Sequence, residues 1–130
     1  MTEHHPDTLA TDRNGSQTAS PEYRYHLLRA ATERFQRNIA ALDDAQRTEA
    51  EGQARQTFEL EELVLACGEA RQVMIPEGQV QQALQAVAER YQDSDEFDAD
   101  LARNGLEPAG LRRALRRELI FDAVMQRVAA

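Results

Sequence analysis

The C-terminal part of the chain, residues 93–130, has the pattern of two amphipathic helices separated by a glycine. Asp93 and Glu96 are three residues apart, which is the capping-box spacing of a helix start. Asn104–Gly105 predicts the end of that helix, and Pro108 fits the first turn of the next one. A helix of about 20 residues is about 30 Å long, so we expect the earlier helices to pack on this last one. Its apolar stripe is Leu111, Leu115, Leu119 and Ala123, broadened by Ile120, Val124 and Val128.

The rest of the chain continues this helical pattern and predicts an all-α fold of about five amphipathic helices. Residue types that favour helices are common, and alternating strand patterns of Val, Ile and Thr are missing. Serine and aspartate caps, glycine stops and prolines mark the boundaries. The expected boundaries are Ser20 and about Arg37 for the first helix, Asp43 or Asp44 and about Cys67 for the second with Gly68 as its stop, and Pro76 before the third.

The first 20 residues differ in composition from everything that follows. They are polar and bury too little apolar surface to offset the entropy of ordering, so we expect residues 1–20 to form a disordered tail. His4–His5 lies in this tail without a third metal ligand nearby, which favours two exposed histidines over a metal site. Residues 21–130 then form one small helical domain.

Charge and cysteine content exclude several classes of protein. The net charge of −8 argues against nucleic-acid binding, which needs a basic face. The single cysteine, Cys67, excludes an internal disulfide and a thiolate metal site. We expect it to be a small packed side chain, and we expect no cofactor. The chain has no apolar stretch of membrane-spanning length and no secretory signal pattern, so the expected location is the cytoplasm.

Two oppositely charged segments lie next to each other in the C-terminal part. The segment Asp93–Asp100 is rich in carboxylates, but Asp98 and Asn104 stand where a calcium loop needs Gly and Glu, which favours an acidic helix start. The four arginines of the last helix repel one another at i, i+4 spacing. We expect exposed ion pairs between the acidic helix and this cluster; the alternative is a docking patch for an acidic partner. The cluster is Arg112, Arg113, Arg116 and Arg117.

The order and spacing of several segments resemble the N-terminal helical region of NifM-type proteins. These are nitrogen-fixation accessory proteins of the parvulin-type peptidyl-prolyl isomerase family, and the N-terminal chaperone domain of the SurA family is similar more loosely. The resemblance covers about residues 23–130. The segments that carry it are Tyr23–Arg29, Phe35, Val64–Leu65, Val73–Pro76, Ala88–Tyr91, Asp100–Leu106 and Leu115–Val124.

The resemblance implies a chaperone-like helical module that binds a client protein, which in this family is the nitrogenase iron protein. The family's isomerase activity resides in a parvulin domain with a glycine-rich segment and a cluster of His with Cys or Asp. These residues have no counterpart in the 130 residues. We therefore assign no catalytic residue, and whether the chain is an enzyme stays open.

Four large apolar residues are candidates for client contact, and the alternative is that they are ordinary core. Methionine adapts to varied apolar partners, which would suit a client groove. A second hypothesis for the whole chain is a stand-alone helical interaction or regulatory module. An enzyme is disfavoured because no nucleophile, base or metal constellation is visible. The four candidates are Phe58, Met74, Phe121 and Met125.

Overall fold

A computed structural model of the protein describes residues 20–129, which form helices and connecting turns without a β-strand in that range. The all-α prediction is confirmed, with six α-helices in the described part. Residues 1–19 of the predicted tail, including His4–His5, lie outside the described residues. The helices are α1 (Pro21–Phe35), α2 (Asp44–Leu65), α3 (Gly68–Arg71), α4 (Glu77–Ala88), α5 (Ser94–Arg103) and α6 (Pro108–Ala129), with a 3-10 turn at Ile39–Ala41.

The predicted helix starts at Ser20 and Asp43 are confirmed by side-chain caps. The Ser20 hydroxyl accepts the backbone N–H of Tyr23 at 3.1 Å, and Pro21 is the first residue of α1. Asp43 caps α2 in a complete capping box with Gln46. A cap of this kind satisfies backbone N–H groups that have no partner within the helix. These starts follow from local sequence alone.

The turn between α5 and α6 depends on Gly105. This residue has φ of 71°, and the Leu106 N–H donates to the Leu101 carbonyl at 2.8 Å across it. A Cβ at Gly105 would lie 1.5 Å from the Arg24 guanidinium, which donates to the Asn104 carbonyl. The glycine is needed both for the left-handed turn and for the close approach of Arg24.

The predicted end of the second helix is wrong. α2 ends at Leu65, and Gly68 begins the four-residue helix α3 instead of stopping α2. Ala66 keeps right-handed geometry at the end of α2, so no left-handed glycine is required there. Cys67 is partly buried between the two helices, as an unpaired thiol.

The core forms where α1 packs on α2 and both pack on α6. Leu111 and Leu115 on the first half of α6 are 0% and 1% exposed, as the apolar stripe predicted. α6 also approaches α1 closely at Gly110, where a Cβ would meet the Pro21 ring at 2.8 Å. α4 covers α6 from another side. The last helix is therefore the element on which α1, α2 and α4 are assembled.

Candidate functional site

The four arginines of α6 form ion pairs with three other helices. Arg112 and Arg116 contact Glu77 at the start of α4, and Arg113 contacts Glu22 on α1 at 3.6 Å. Arg117 contacts Glu61 and Glu62 on α2 at 3.0 and 2.8 Å. These pairs offset the repulsion within the cluster. The carboxylates that pair with the four arginines are those of Glu22, Glu61, Glu62 and Glu77.

The predicted pairing of this cluster with the acidic segment 93–100 is therefore wrong. α5 runs into the Gly105 turn, and in the described residues its carboxylates are not the partners of the α6 arginines. One of them, Asp100, is instead 1% exposed and accepts the Tyr91 hydroxyl at 2.7 Å. Burial and this hydrogen bond raise the pKa of Tyr91. The α6 cluster joins helices, and docking of an acidic partner on it stays a prediction.

His26 lies at the centre of a buried polar group that the sequence did not reveal. Its side chain and that of Glu61 are 2% and 4% exposed, and His26 Nε2 lies 3.3 Å from Glu61 Oε1. Nε2 makes no hydrogen bond with another described residue. On the other side of the ring, Nδ1 lies 2.8 Å from the Thr57 hydroxyl. Glu61 lies on a different helix from His26, so the local sequence around His26 did not indicate this contact.

The charge of Glu61 is stabilised by its neighbours. Burial by itself raises the pKa of Glu61, but contact with His26 and with the Arg117 guanidinium outweighs it and holds the pKa below its ordinary value. Arg117 also lies 5.8 Å from the centre of the Phe58 ring, at a distance suited to a cation–π contact. The charged group thus adjoins the aromatic core.

This arrangement of hydroxyl, imidazole and carboxylate does not form an open catalytic site. The Thr57 hydroxyl donates to the Ala54 carbonyl within α2 at 3.2 Å, and His26 is sealed from solvent. A nucleophile has to reach a substrate. We interpret the group of His26, Thr57, Glu61 and Arg117 as a structural connection between α1, α2 and α6.

A second, partly buried connection joins α1 to α6. Glu118 accepts the Tyr25 hydroxyl at 2.7 Å and also binds the Arg29 guanidinium. Burial, together with the adjacent Glu118 charge, raises the pKa of Tyr25. Hydrogen bonds to an ionised carboxylate are stronger than those between neutral groups. This contact fixes the rotation of α6 against α1.

The four apolar candidates do not lie together. Phe58 is 6% exposed and packs edge-to-face on Tyr23 and His26, so it is part of the core. Met74, which is 88% exposed, lies beside a groove of about 410 Å3 between residues 73–75 and the second half of α6. Phe121 and Met125 lie on a different face of α6. Contact between a client and any of the four stays a prediction.

Phe121 and Met125 belong to an apolar face of α6 that becomes exposed toward the end of the helix. Residues at i, i+4 and i+7 share one face, which places Phe121, Met125 and Val128 in line with the buried Ala114. Ala114 is 2% exposed, Met125 is 41% and Val128 is 68%. We call Phe121, Met125 and Val128 the α6 ridge. The face of α6 that is buried at Ala114 is therefore exposed as an apolar surface at Met125 and Val128.

Residues 20–129 show neither a metal-binding cluster nor a membrane-spanning helix. No group of three or more His, Cys, Asp or Glu side chains in that range is placed to hold a metal ion. None of the helices described there combines the length and the apolar character needed to cross a membrane.

Comparison with known proteins identifies two curated relatives, each named as a putative peptidyl-prolyl cis-trans isomerase NifM. The protein of Azotobacter chroococcum mcd 1 is 35% identical over 107 residues, which is 82% of this chain and 36% of the relative. That of Azotobacter vinelandii is 32% identical over 112 residues, 86% of this chain and 38% of the relative. No protein-family model matches, and no solved structure matches significantly. The resemblance to NifM-type proteins is confirmed, and the chain spans little more than a third of their length.

Proposed function

We propose, from its relationship to a region of the NifM proteins, that this chain is a client-binding, chaperone-like module of a NifM-type peptidyl-prolyl isomerase. Its client is the nitrogenase iron protein, whose maturation it assists in the cytoplasm. The relatives are named as isomerases, but this chain spans only 36% and 38% of their lengths. We assign it no catalytic residue.

The observation that carries the proposal is the α6 ridge. Apolar side chains on one helix face that are left uncovered at the end of a domain are typical of surfaces that bind another chain. Met125 offers a flexible, polarisable side chain, and Phe121 and Val128 flank it with aromatic and branched groups. A client helix or strand with apolar residues can pack on this ridge without opening the core.

The experiment measures binding of the full 130-residue chain to purified nitrogenase iron protein by calorimetry. The variant carries Met125→Gln and Val128→Gln, and the control carries Leu60→Gln and Leu63→Gln at the exposed apolar positions of α2. Full burial of one such side chain is worth about 1.5–3 kcal/mol. Partial burial of two should therefore make binding at least about tenfold weaker in the ridge variant.

The control should bind as the unchanged chain does, and both variants should keep its melting temperature because all four positions are exposed. Equal loss of binding in the two variants would show that general surface apolarity, rather than the ridge, is responsible. Absence of binding by the unchanged chain would reject the iron protein as client and leave the stand-alone interaction module as the explanation.

A further inference from the structure

The segment that joins α3 to α4 has main-chain groups without a partner. Residues 73–75 belong to no helix and end at Pro76, the residue before α4. A residue that precedes a proline is biased toward extended backbone, which applies to Ile75. Within residues 20–129, the N–H and C=O groups of Met74 and the N–H of Ile75 make no hydrogen bond. We call residues 73–75 the 73–75 edge, because unpaired groups of this kind are what the edge of a sheet offers to another strand.

The 73–75 edge borders the groove of about 410 Å3 on the second half of α6. Val73 and Ile75 line this groove and are partly buried, whereas Met74 between them is 88% exposed. Side chains of extended backbone alternate in this way between two faces. Leu119 and Ala123 of α6, both partly buried, line the groove as well and add apolar surface. One face of the edge is therefore turned to the groove and the other to solvent.

Two side chains of opposite charge, Asp122 and Arg127, also line this groove. They are five residues apart on α6, which corresponds to about 7.5 Å along the helix axis. Neither forms an ion pair with another residue of the range 20–129. Burial and the Glu118 charge raise the pKa of the Asp122 carboxyl more than Arg29 lowers it, so a cation bound beside Asp122 would stabilise its charged form. A partner with one basic and one acidic side chain is complementary to both groups.

We propose that the 73–75 edge binds an extended peptide as an added antiparallel strand, with an apolar side chain in the groove between a basic and an acidic one. The peptide residue opposite Met74 exchanges both N–H···O=C hydrogen bonds with it. Residues that are directly opposite lie on the same face. That peptide residue therefore points to solvent, as Met74 does, and its two neighbours point into the groove.

Strand addition of this kind divides recognition between two parts of the peptide. The main-chain hydrogen bonds supply affinity, and the groove selects the side chains. The peptide site goes beyond the proposed function, because it uses neither the α6 ridge nor the identity of the client.

The test uses the full chain and a fluorescein-labelled peptide, Thr-Lys-Thr-Val-Thr-Glu-Thr, followed by fluorescence anisotropy. Its β-branched residues favour the extended conformation, and Lys, Val and Glu share one face. One derivative is N-methylated at the two threonines that flank valine, which blocks the N–H groups on the side of Met74. The matched derivative is N-methylated at valine and glutamate, whose N–H groups point the other way. Side chains, charge and number of methyl groups are the same in both.

Three variants of the chain complete the experiment, with melting temperatures measured alongside. Met74→Pro removes the N–H of the edge, which makes no hydrogen bond within residues 20–129 that the proline would break. Met74→Ala is the matched control, because it keeps the N–H and removes only an exposed side chain. Asp122→Asn removes the carboxylate of the groove and is measured with the peptide and with a version that has Gln in place of Lys.

Binding should weaken about tenfold in Met74→Pro and for the peptide methylated at the flanking threonines, because each change leaves a main-chain hydrogen bond unmade. It should change little in Met74→Ala and for the matched derivative. Asp122→Asn should weaken binding of the Lys peptide and leave that of the Gln peptide nearly unchanged.

Equal binding of the two methylated peptides would show that the main chain takes no part and would overturn the proposal, even if Met74→Pro failed to fold. So would equal weakening of the Lys and Gln peptides by Asp122→Asn, or no binding at all. Self-association of the unchanged chain that Met74→Pro abolishes would assign the edge to a second copy and reject the peptide. The iron protein is absent from this test, so its result is independent of the client assignment.

Discussion

Replacement of Glu61 by Gln tests the central buried charge of the domain. Glu61 joins α2 to α1 through His26 and to α6 through Arg117, at 3.3 and 3.0 Å. Gln has the same shape and keeps one acceptor oxygen, so the substitution removes the charge without leaving a cavity. We expect it to destabilise the folded domain.

The magnitude follows from these contacts. Complete loss of one partner of a buried ion pair costs about 3–5 kcal/mol. The amide can still accept from Arg117, and a charge-assisted hydrogen bond is roughly twice as strong as a neutral one. Arg117 also keeps its contact with Glu62 at 2.8 Å. We therefore expect the free energy of unfolding to fall by about 2 kcal/mol, and the melting temperature by about 8 °C.

The assay is urea unfolding followed by circular dichroism at several pH values. The pKa of Glu61 is lower in the folded than in the unfolded chain, so its charge stabilises the fold fully above the unfolded pKa. This contribution is lost as the pH falls through the folded pKa. The stability difference between the unchanged chain and Glu61→Gln should be constant near neutral pH and shrink in acid.

Glu62→Gln is the matched control, because Glu62 binds the same arginine from an exposed position. Exposed pairs contribute about 0–1 kcal/mol, so this change should have little effect on stability. Equal destabilisation by the two substitutions, or a Glu61→Gln deficit that persists unchanged in acid, would refute the reasoning.

The remaining predictions concern packing and backbone geometry, and each is measured by thermal unfolding. Leu111→Ala removes a fully buried side chain from α6 and should destabilise the fold by about 2–5 kcal/mol. Gly105→Ala should destabilise the fold by about 1–2 kcal/mol or more, because alanine disfavours the left-handed backbone, and displacement of Arg24 should add to this cost. Gly52 lies in the interior of α2 with open space around it, so Gly52→Ala should stabilise the fold by up to about 1 kcal/mol. Gln36, the residue after α1, has φ of 52°, a left-handed conformation that glycine adopts more readily. Gln36→Gly should therefore leave the free energy of unfolding unchanged or raise it by up to about 1 kcal/mol, and a clear loss of stability would contradict this reasoning.

Most of the secondary structure was accessible from sequence because its signals are local. The caps at Ser20 and Asp43 and the stop at Gly105 act within a few residues, through hydrogen bonds and backbone conformation that the residue types dictate. The short helix α3 was not predicted, because the local signal at its start is ambiguous. Gly68 resembles a helix stop, and no local signal distinguishes that role from the start of a new turn.

The candidate sites were less accessible. Met74 and Met125 were singled out by residue type, but the sequence did not indicate that Met74 lies beside a groove on one side of α6 while Met125 lies on another face of that helix. Phe58 has the same apolar character and lies in the core. Exposure depends on how far α6 extends beyond the helices that cover it, and no residue in the helix itself encodes that.

The sequence by itself determined that this protein is helical, where most of its helices begin and end, and which family it resembles. Only the tertiary structure decided which charges meet. Arg112 binds Glu77, 35 residues away in sequence, and Arg117 binds Glu61, 56 residues away. The nearby carboxylates of segment 93–100 are not their partners in the described residues. A helix end is fixed by groups within one turn, whereas an ion pair or a cleft depends on how whole helices pack, and that is settled by the burial of apolar faces along the entire chain.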